Sequence, residues 1–191
     1  MSPNAGSESY DRQMPELLTP TLRLQSSWRD AHEEWGPGTH EDGFGLLPGD
    51  NVLSSNGFSE WLSRLSEESN PATQLGDGRV HCTYRWITER DQVLGGIALR
   101  HELNDHLLAE GGHVGYGVRP SARRRGLATW ALGQMLVEAR TLHIEQVLAV
   151  CAADNIASAR TIERSGGILE DIHQTEHGLL RRYWIRSDRG I

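Results

Sequence analysis

Apolar positions recur at helical spacing twice near the start of the chain and then give way to alternation. Leu22, Leu24, Trp28, Ala31 and Trp35 fall on one helical face. Thr19-Pro20 ahead of them offers a cap followed by a proline at the first helical position. Gly36-Pro37-Gly38 ends that run, and residues 36–51 are rich enough in glycine and proline to read as a loop. Phe58, Trp61, Leu62 and Leu65 predict a second helix over 58–66, followed by a polar, exposed stretch over 67–77. From Val80 the period becomes two. Residues 80–87 and 93–99 read as strands around a turn at 88–92, and 103–110 holds one helical turn. Val114, Tyr116 and Val118 alternate as a strand that stops at Arg119-Pro120, because proline cannot donate to a ladder. Ala128, Leu132, Met135, Leu136 and Ala139 form the buried face of a helix over 124–141. A strand over 145–151 follows, then a helix over 155–164 closed by Gly166-Gly167. Residues 168–173 and 179–185 make a last hairpin turning at His177-Gly178.

The predicted order is two helices and then β-β-β-α-β-α-β-β, an α/β chain without internal repeats. At 191 residues it reads as one domain, over 14–187, behind a polar tail over 1–13 that reads as disordered. No apolar run approaches the ~18 residues that cross a bilayer, so no membrane partner is expected. The first residues lack the basic and apolar regions of a signal peptide, which makes the cytoplasm the expected location. Cys82 and Cys151 are too few for a metal site and read as buried thiols, so no metal is expected. All 19 cationic residues are arginine, which codon bias explains simply. Charge is uneven: residues 1–75 hold twelve acidic residues and four arginines, whereas the rest is nearly balanced. If the amino-terminal half lines an acceptor pocket, its field favours a cationic substrate; otherwise it is a solvated surface.

The segment from His113 to Ala128 carries the chemistry. A strand, a basic glycine-bearing turn (Arg123, Arg124, Arg125, Gly126) and a helix start together build an anion site. Main-chain N–H groups there have no helical partner, the helix dipole adds positive charge, and Gly126 lets a phosphate approach the backbone. A nucleic-acid patch is disfavoured by the net charge of -7. A nucleoside-triphosphate loop would need a lysine that is absent.

Arg123-x-x-Gly126-x-Ala128 resembles the Arg/Gln-x-x-Gly-x-Gly/Ala pattern of the GCN5-related N-acetyltransferase (GNAT) superfamily. Asp154-Asn155-Ile-Ala-Ser158 with Ile162-Glu-Arg-Ser-Gly166 is similar to that superfamily's next element. Leu99-Arg-His-Glu-Leu-Asn-Asp105 and Arg182-Tyr-Trp-Ile185 resemble a bacterial subgroup that includes kasugamycin acetyltransferases. The resemblance covers residues 80–187. It implies a mixed central sheet with a splayed cofactor strand, two amino-terminal helices, and acetyl-coenzyme A as co-substrate. By that likeness Tyr116, Gly117 and Val118 bind the pantetheine arm. Arg123, Arg124, Arg125, Gly126, Leu127, Ala128 and Thr129 bind the pyrophosphate, and Asn155, Ser158 and Arg160 line the other side.

The chain also departs from the superfamily. Ile162 stands where many members carry the tyrosine that protonates the leaving thiolate, and a glutamate of the cofactor strand would fall near Gly112. Replacement bases come from His101, Glu102 and His113, with Asp105 nearby; histidine titrates in the required range. Trp28, Trp35 and Trp61 read as core, with one of them free to face the acceptor. The resemblance implies N-acetylation of a primary amine on a small cationic molecule, an aminoglycoside such as kasugamycin being the first class. Acetylation of a protein or peptide amine and a non-catalytic acyl-coenzyme A module stay open, and a homodimer is compatible with the sequence.

Overall fold

A computed structural model describes residues 14–36, 42–76, 78–176 and 178–188. The tail expected over 1–13 and His177 of the last turn lie outside the described residues, as do residues 37–41 of the first loop. One seven-stranded mixed sheet organises the chain, in the order β1-β2-β3-β4-β5-β7-β6. Its strands are β1 (Glu16–Leu18), β2 (Cys82–Glu89), β3 (Gln92–Arg100), β4 (Val114–Val118), β5 (Gln146–Ala152), β6 (Ile168–Thr175) and β7 (Gly178–Arg186). The helices are α1 (Gln25–Trp35), α2 (Ser55–Ser69), α3 (Leu127–Thr141) and α4 (Ile156–Arg164).

Local chemistry explains the boundaries. The cap expected at Thr19 falls at Thr21, whose side chain accepts from Arg23 N and opens a short 3-10 turn before α1. Ser54 caps α2 by accepting from Gly57 N at 3.0 Å, so this helix starts three residues before its apolar face does. β1 was not expected. It is three residues long between two prolines, and only its pairing with β2 (Leu17 opposite Ile87) makes it a strand. The helix expected from Arg124 begins at Leu127, because Arg124 (φ 62°) and Gly126 (φ 80°) are left-handed and hold the preceding turn open.

Two apolar layers sandwich the sheet. On the front face, α1 and α2 bury Trp28, Trp35, Phe58 and Trp61 against Tyr84, Trp86 and Ala98. On the back, α3 and α4 bury Leu132, Met135, Leu136 and Ile162 against Ile97, Leu99, Val114, Ala149 and Tyr183. Each fully buried aromatic or aliphatic side chain contributes about 1.5–3 kcal/mol, so these layers dominate the stability. Cys82 sits in the front layer and Cys151 in the back one, both free thiols.

The feature that positions a site is the seam between β4 and β5. Every other neighbouring pair is antiparallel; this one is parallel and registers at the single pair Val114–Ala149. Beyond that pair the strands part. The sheet is open in its middle, as the resemblance implied.

Candidate functional site

The basic turn stands at the carboxyl end of β4. Gly126 is the N-cap of α3, and the first bond of the helix runs from Trp130 N to Gly126 O at 3.0 Å. The N–H groups of Leu127, Ala128 and Thr129 therefore have no partner within the helix, and the positive end of its dipole lies there. A Cβ on Gly126 would meet nothing within 4 Å, so it is the left-handed backbone, not crowding, that calls for glycine. The three arginines differ. Arg123 Nε donates to Val118 O at 3.0 Å, and Arg125 pairs with Glu89 at 2.5 Å. Arg124 is exposed, with no ion pair among the described residues, and is the guanidinium available to a phosphate. Glu34 of α1 anchors the turn from the front through Arg119 and Ser121. Burial pushes its carboxyl up, but the bonds from Ser121 and Arg119 outweigh that and hold it below the usual range.

Behind the turn lies the gap. Arg119 N donates to Leu94 O and Arg100 N to His113 O, which sets the alternation along β4. Gly115 and Gly117 turn their main-chain groups to β3, whereas Tyr116 and Val118 turn theirs to the gap. Arg123 takes the carbonyl of Val118; the N–H groups of Tyr116 and Val118 and the carbonyl of Tyr116 lie on the β5 side, beyond the last paired residue, Val114. The Tyr116 ring reaches back to α4, where its hydroxyl lies 2.9 Å from Ser158 Oγ. Asn155 caps α4 by accepting from Ser158 N at 3.0 Å, which fixes that serine. Burial pushes the Tyr116 phenol up to about 12. Ile162 is buried in the back layer, and Arg160 is exposed on α4.

In front of the gap, β3 and β4 present almost no side chain. Gly117 is crossed by the chain at Asp42: a Cβ there would lie 2.8 Å from Asp42 O and 3.3 Å from the Trp35 ring. Gly43, at φ 87°, lies flat on Gly96, and the Phe44 ring packs on the same glycine. Above Gly115 the nearest atoms are Gly43 N at 3.8 Å and Arg100 Nη1 at 4.0 Å. The result is a main-chain floor that the loop covers at Gly96 and Gly117 and leaves open above Gly115, beside Arg100 and the gap. Trp35 is the tryptophan that borders it; Trp28 and Trp61 are core.

The expected bases are not gathered there. His101 stands beyond the far end of β3, its Nε2 2.8 Å from Thr83 Oγ1 on the α3 side of the sheet. Burial and the neighbouring His81 lower its pKa. Gly95, not His101, is the β3 residue opposite Val118; six residues of strand, about 20 Å, separate the two. Glu102 and Asp105 are exposed beyond the same end. His113 is buried where β4 meets β5, and its Nδ1 accepts from Leu148 N at 2.9 Å. Burial and the Arg100 charge push it down to about 4. Asp42, Gly43 and Arg100 were not among the sequence candidates. Their only signals were an acidic residue before glycine in the first loop and paired glycines in two strands.

No group of three metal-ligating side chains occurs among the described residues, and no described helix is long and apolar enough to cross a membrane. The left-handed glycine, the unpaired N–H groups and the open seam fit a pantetheine diphosphate such as that of acetyl-coenzyme A.

Several solved structures share this architecture. The microcin C7 self-immunity acetyltransferase MccE, solved with acetyl-CoA and AMP, matches at 16% identity and a TM-score of 0.62, over 92% of this chain and 93% of its own. Mycobacterium smegmatis RimJ, with CoA-disulfide, matches at 16% and 0.69, over 90% and 81%. A ribosomal-protein-S5-alanine acetyltransferase from Vibrio fischeri matches at 12% and 0.66, over 93% and 94%. No curated protein matches in sequence. The family model described as an acetyltransferase (GNAT) domain matches residues 49–168, and with the site above this places the chain in the GNAT family of acetyl-coenzyme A-dependent N-acetyltransferases.

Proposed function

We propose that the chain acetylates a primary amine on a small hydrophilic molecule, with aminoglycosides such as kasugamycin the first class to try. The observation that carries this reading is the narrow opening above Gly115, between Gly43 of the loop and Arg100 and beside the open seam. A slender amine fits such an opening; the loop laid over Gly96 and Gly117 narrows access for a folded protein. The excess acid of residues 1–75, a stretch that contains α1 and α2, supports recognition of a cation.

In this reading the pyrophosphate rests on the N–H groups of Leu127, Ala128 and Thr129 with Arg124 beside it, and the pantetheine arm runs along Tyr116 and Val118. The Tyr116 N–H polarises the thioester carbonyl. The neutral amine nitrogen attacks the carbonyl carbon, forming C–N, and the C–S pair leaves with sulfur. The nitrogen gives up one proton to bulk water, and the thiolate gains one from a hydroxyl that the solvent reprotonates. The Tyr116 hydroxyl is assigned to protonating sulfur, with Ser158 behind it.

The test is acetyl-coenzyme A consumption across a panel of aminoglycosides, simple amines and peptides with free amino termini. Turnover on small amines at kcat/KM well above that on peptides is expected. The reverse order would support the protein-acetylating reading, which the fold shared with a ribosomal-protein acetyltransferase keeps in view. Tight cofactor binding without turnover on any amine would support a non-catalytic module.

A further inference from the structure

The floor ends at a cation. Arg100 closes β3 on the front face, opposite Cys82 of the front layer, and is half-buried. Its Nη1 donates to Gly111 O at 3.1 Å and Gly112 O at 3.2 Å, and the same nitrogen stands 4.0 Å from the space above Gly115. Those two carbonyls fix the guanidinium plane. Nε and Nη2, which hold three of its five N–H donors, have no partner among the described residues. No carboxylate pairs with it there either, whereas Arg64, Arg79, Arg85, Arg119, Arg125 and Arg182 each hold at least one. Its neighbour His113 is neutral, so Arg100 is the local charge at this end of the floor.

Resting on the acetyl-transfer reading above, we propose that the acceptor carries an anionic group, a carboxylate or a phosphate, and that Arg100 binds it while the amine reacts at the adjoining seam. A guanidinium with its plane already fixed and a fork of donors unspent suits either anion in a bidentate manner. Gly115 adjoins Tyr116, whose N–H is assigned to the thioester carbonyl, so a short linker joins amine and anion. An amphoteric amine, including an aminoglycoside that bears an acidic group, is then preferred over a pure polycation. A purely structural arginine would need only the two carbonyl bonds and would be indifferent to acceptor charge.

The experiment titrates the coenzyme A-loaded protein calorimetrically with ω-amino acids from β-alanine to 6-aminohexanoate, their amides, and aminoalkyl phosphates of matching length. The acids or the phosphates are expected to bind at least tenfold more tightly than the amides, with a maximum at one chain length; whichever is tighter identifies the anion. Arg100→Gln is expected to bring that ratio within twofold of unity while coenzyme A affinity stays within twofold of the parent. Arg100→Lys should keep part of the ratio. Equal affinity for anion and amide in the parent, absence of binding by every anionic probe, or a ratio that survives Arg100→Gln would overturn the proposal. Should Arg100→Gln lose coenzyme A binding through misfolding, the parent ratio and the Arg100→Lys ratio decide. Anion-selective binding without acetylation of any amine would instead defeat the acetyl-transfer reading.

Discussion

The Tyr116 hydroxyl lies 2.9 Å from Ser158 Oγ, joining β4 to α4 across the seam where the sheet has no strand pairing. A phenol so placed stands beside the path assigned to the pantetheine arm, one helical turn before Ile162. Chemistry and clasp make different predictions for Tyr116→Phe. If the phenol protonates sulfur, kcat falls by about 10²-fold, a typical loss for a positioned acid. That loss shrinks with an acetyl thioester of an aromatic thiol, which leaves readily as the anion. A mere clasp would lower both donors equally, so a loss independent of the leaving group would remove Tyr116 from the proton path.

His101 tests the geometry from the other direction. Its ring bonds Thr83 on the α3 side, six residues along β3 from Gly95, whereas the floor faces the front. His101→Ala is expected to leave kcat/KM within threefold of the parent. A drop of 10²-fold with unchanged thermal stability would restore His101 as the base, acting from the α3 side of the sheet.

These outcomes separate what could be read in the sequence from what could not. The strand, turn and helix around Arg123 and Gly126 were legible because proline, glycine and an apolar period act locally. β1 was not, since three residues between prolines become a strand only by pairing with β2. The end of β3 that meets the site depends on register: Gly95 opposite Val118 puts the glycine pair at the seam and His101 away from it. Asp42 and Arg100 escaped for the same reason. Asp42 meets β4, and Gly43 meets the space beside Arg100, only because Gly43, Gly96 and Gly117 let a loop lie on strand backbone, and a glycine inside a strand marks close approach without naming the partner.

Gly126 separates backbone strain from cofactor contact. Its φ of 80° makes any substitution strained, yet nothing stands within 4 Å of a Cβ. Gly126→Ala is expected to cost about 1 kcal/mol of stability with a small change in affinity. Gly126→Asp adds a charge of the same sign as the pyrophosphate, and acetyl-coenzyme A affinity should fall at least tenfold, about 1.4 kcal/mol. Calorimetric titration of both folded variants is the check, and equal affinities would take the pyrophosphate off this turn.

His113 makes a prediction about pH rather than catalysis. Its Nδ1 accepts from Leu148 N at 2.9 Å, so the ring proton sits on Nε2 and the ring is neutral. Burial and Arg100 push its pKa down to about 4, against about 6.5 for an unfolded histidine. Between those values the unfolded chain binds more protons than the folded one. The stability that neutral His113 contributes is therefore fully present above pH 6.5 and is lost as the pH falls towards 4. His113→Asn offers an oxygen to the same N–H without a titrating group. In urea denaturation the parent should lose more stability between pH 7 and 4.5 than this variant does. His113→Leu leaves the Leu148 N–H without a partner and should cost about 1–3 kcal/mol at pH 7. Parallel pH profiles for the parent and His113→Asn would show that the acid sensitivity arises elsewhere, and would return His113 to the candidates for the amine proton.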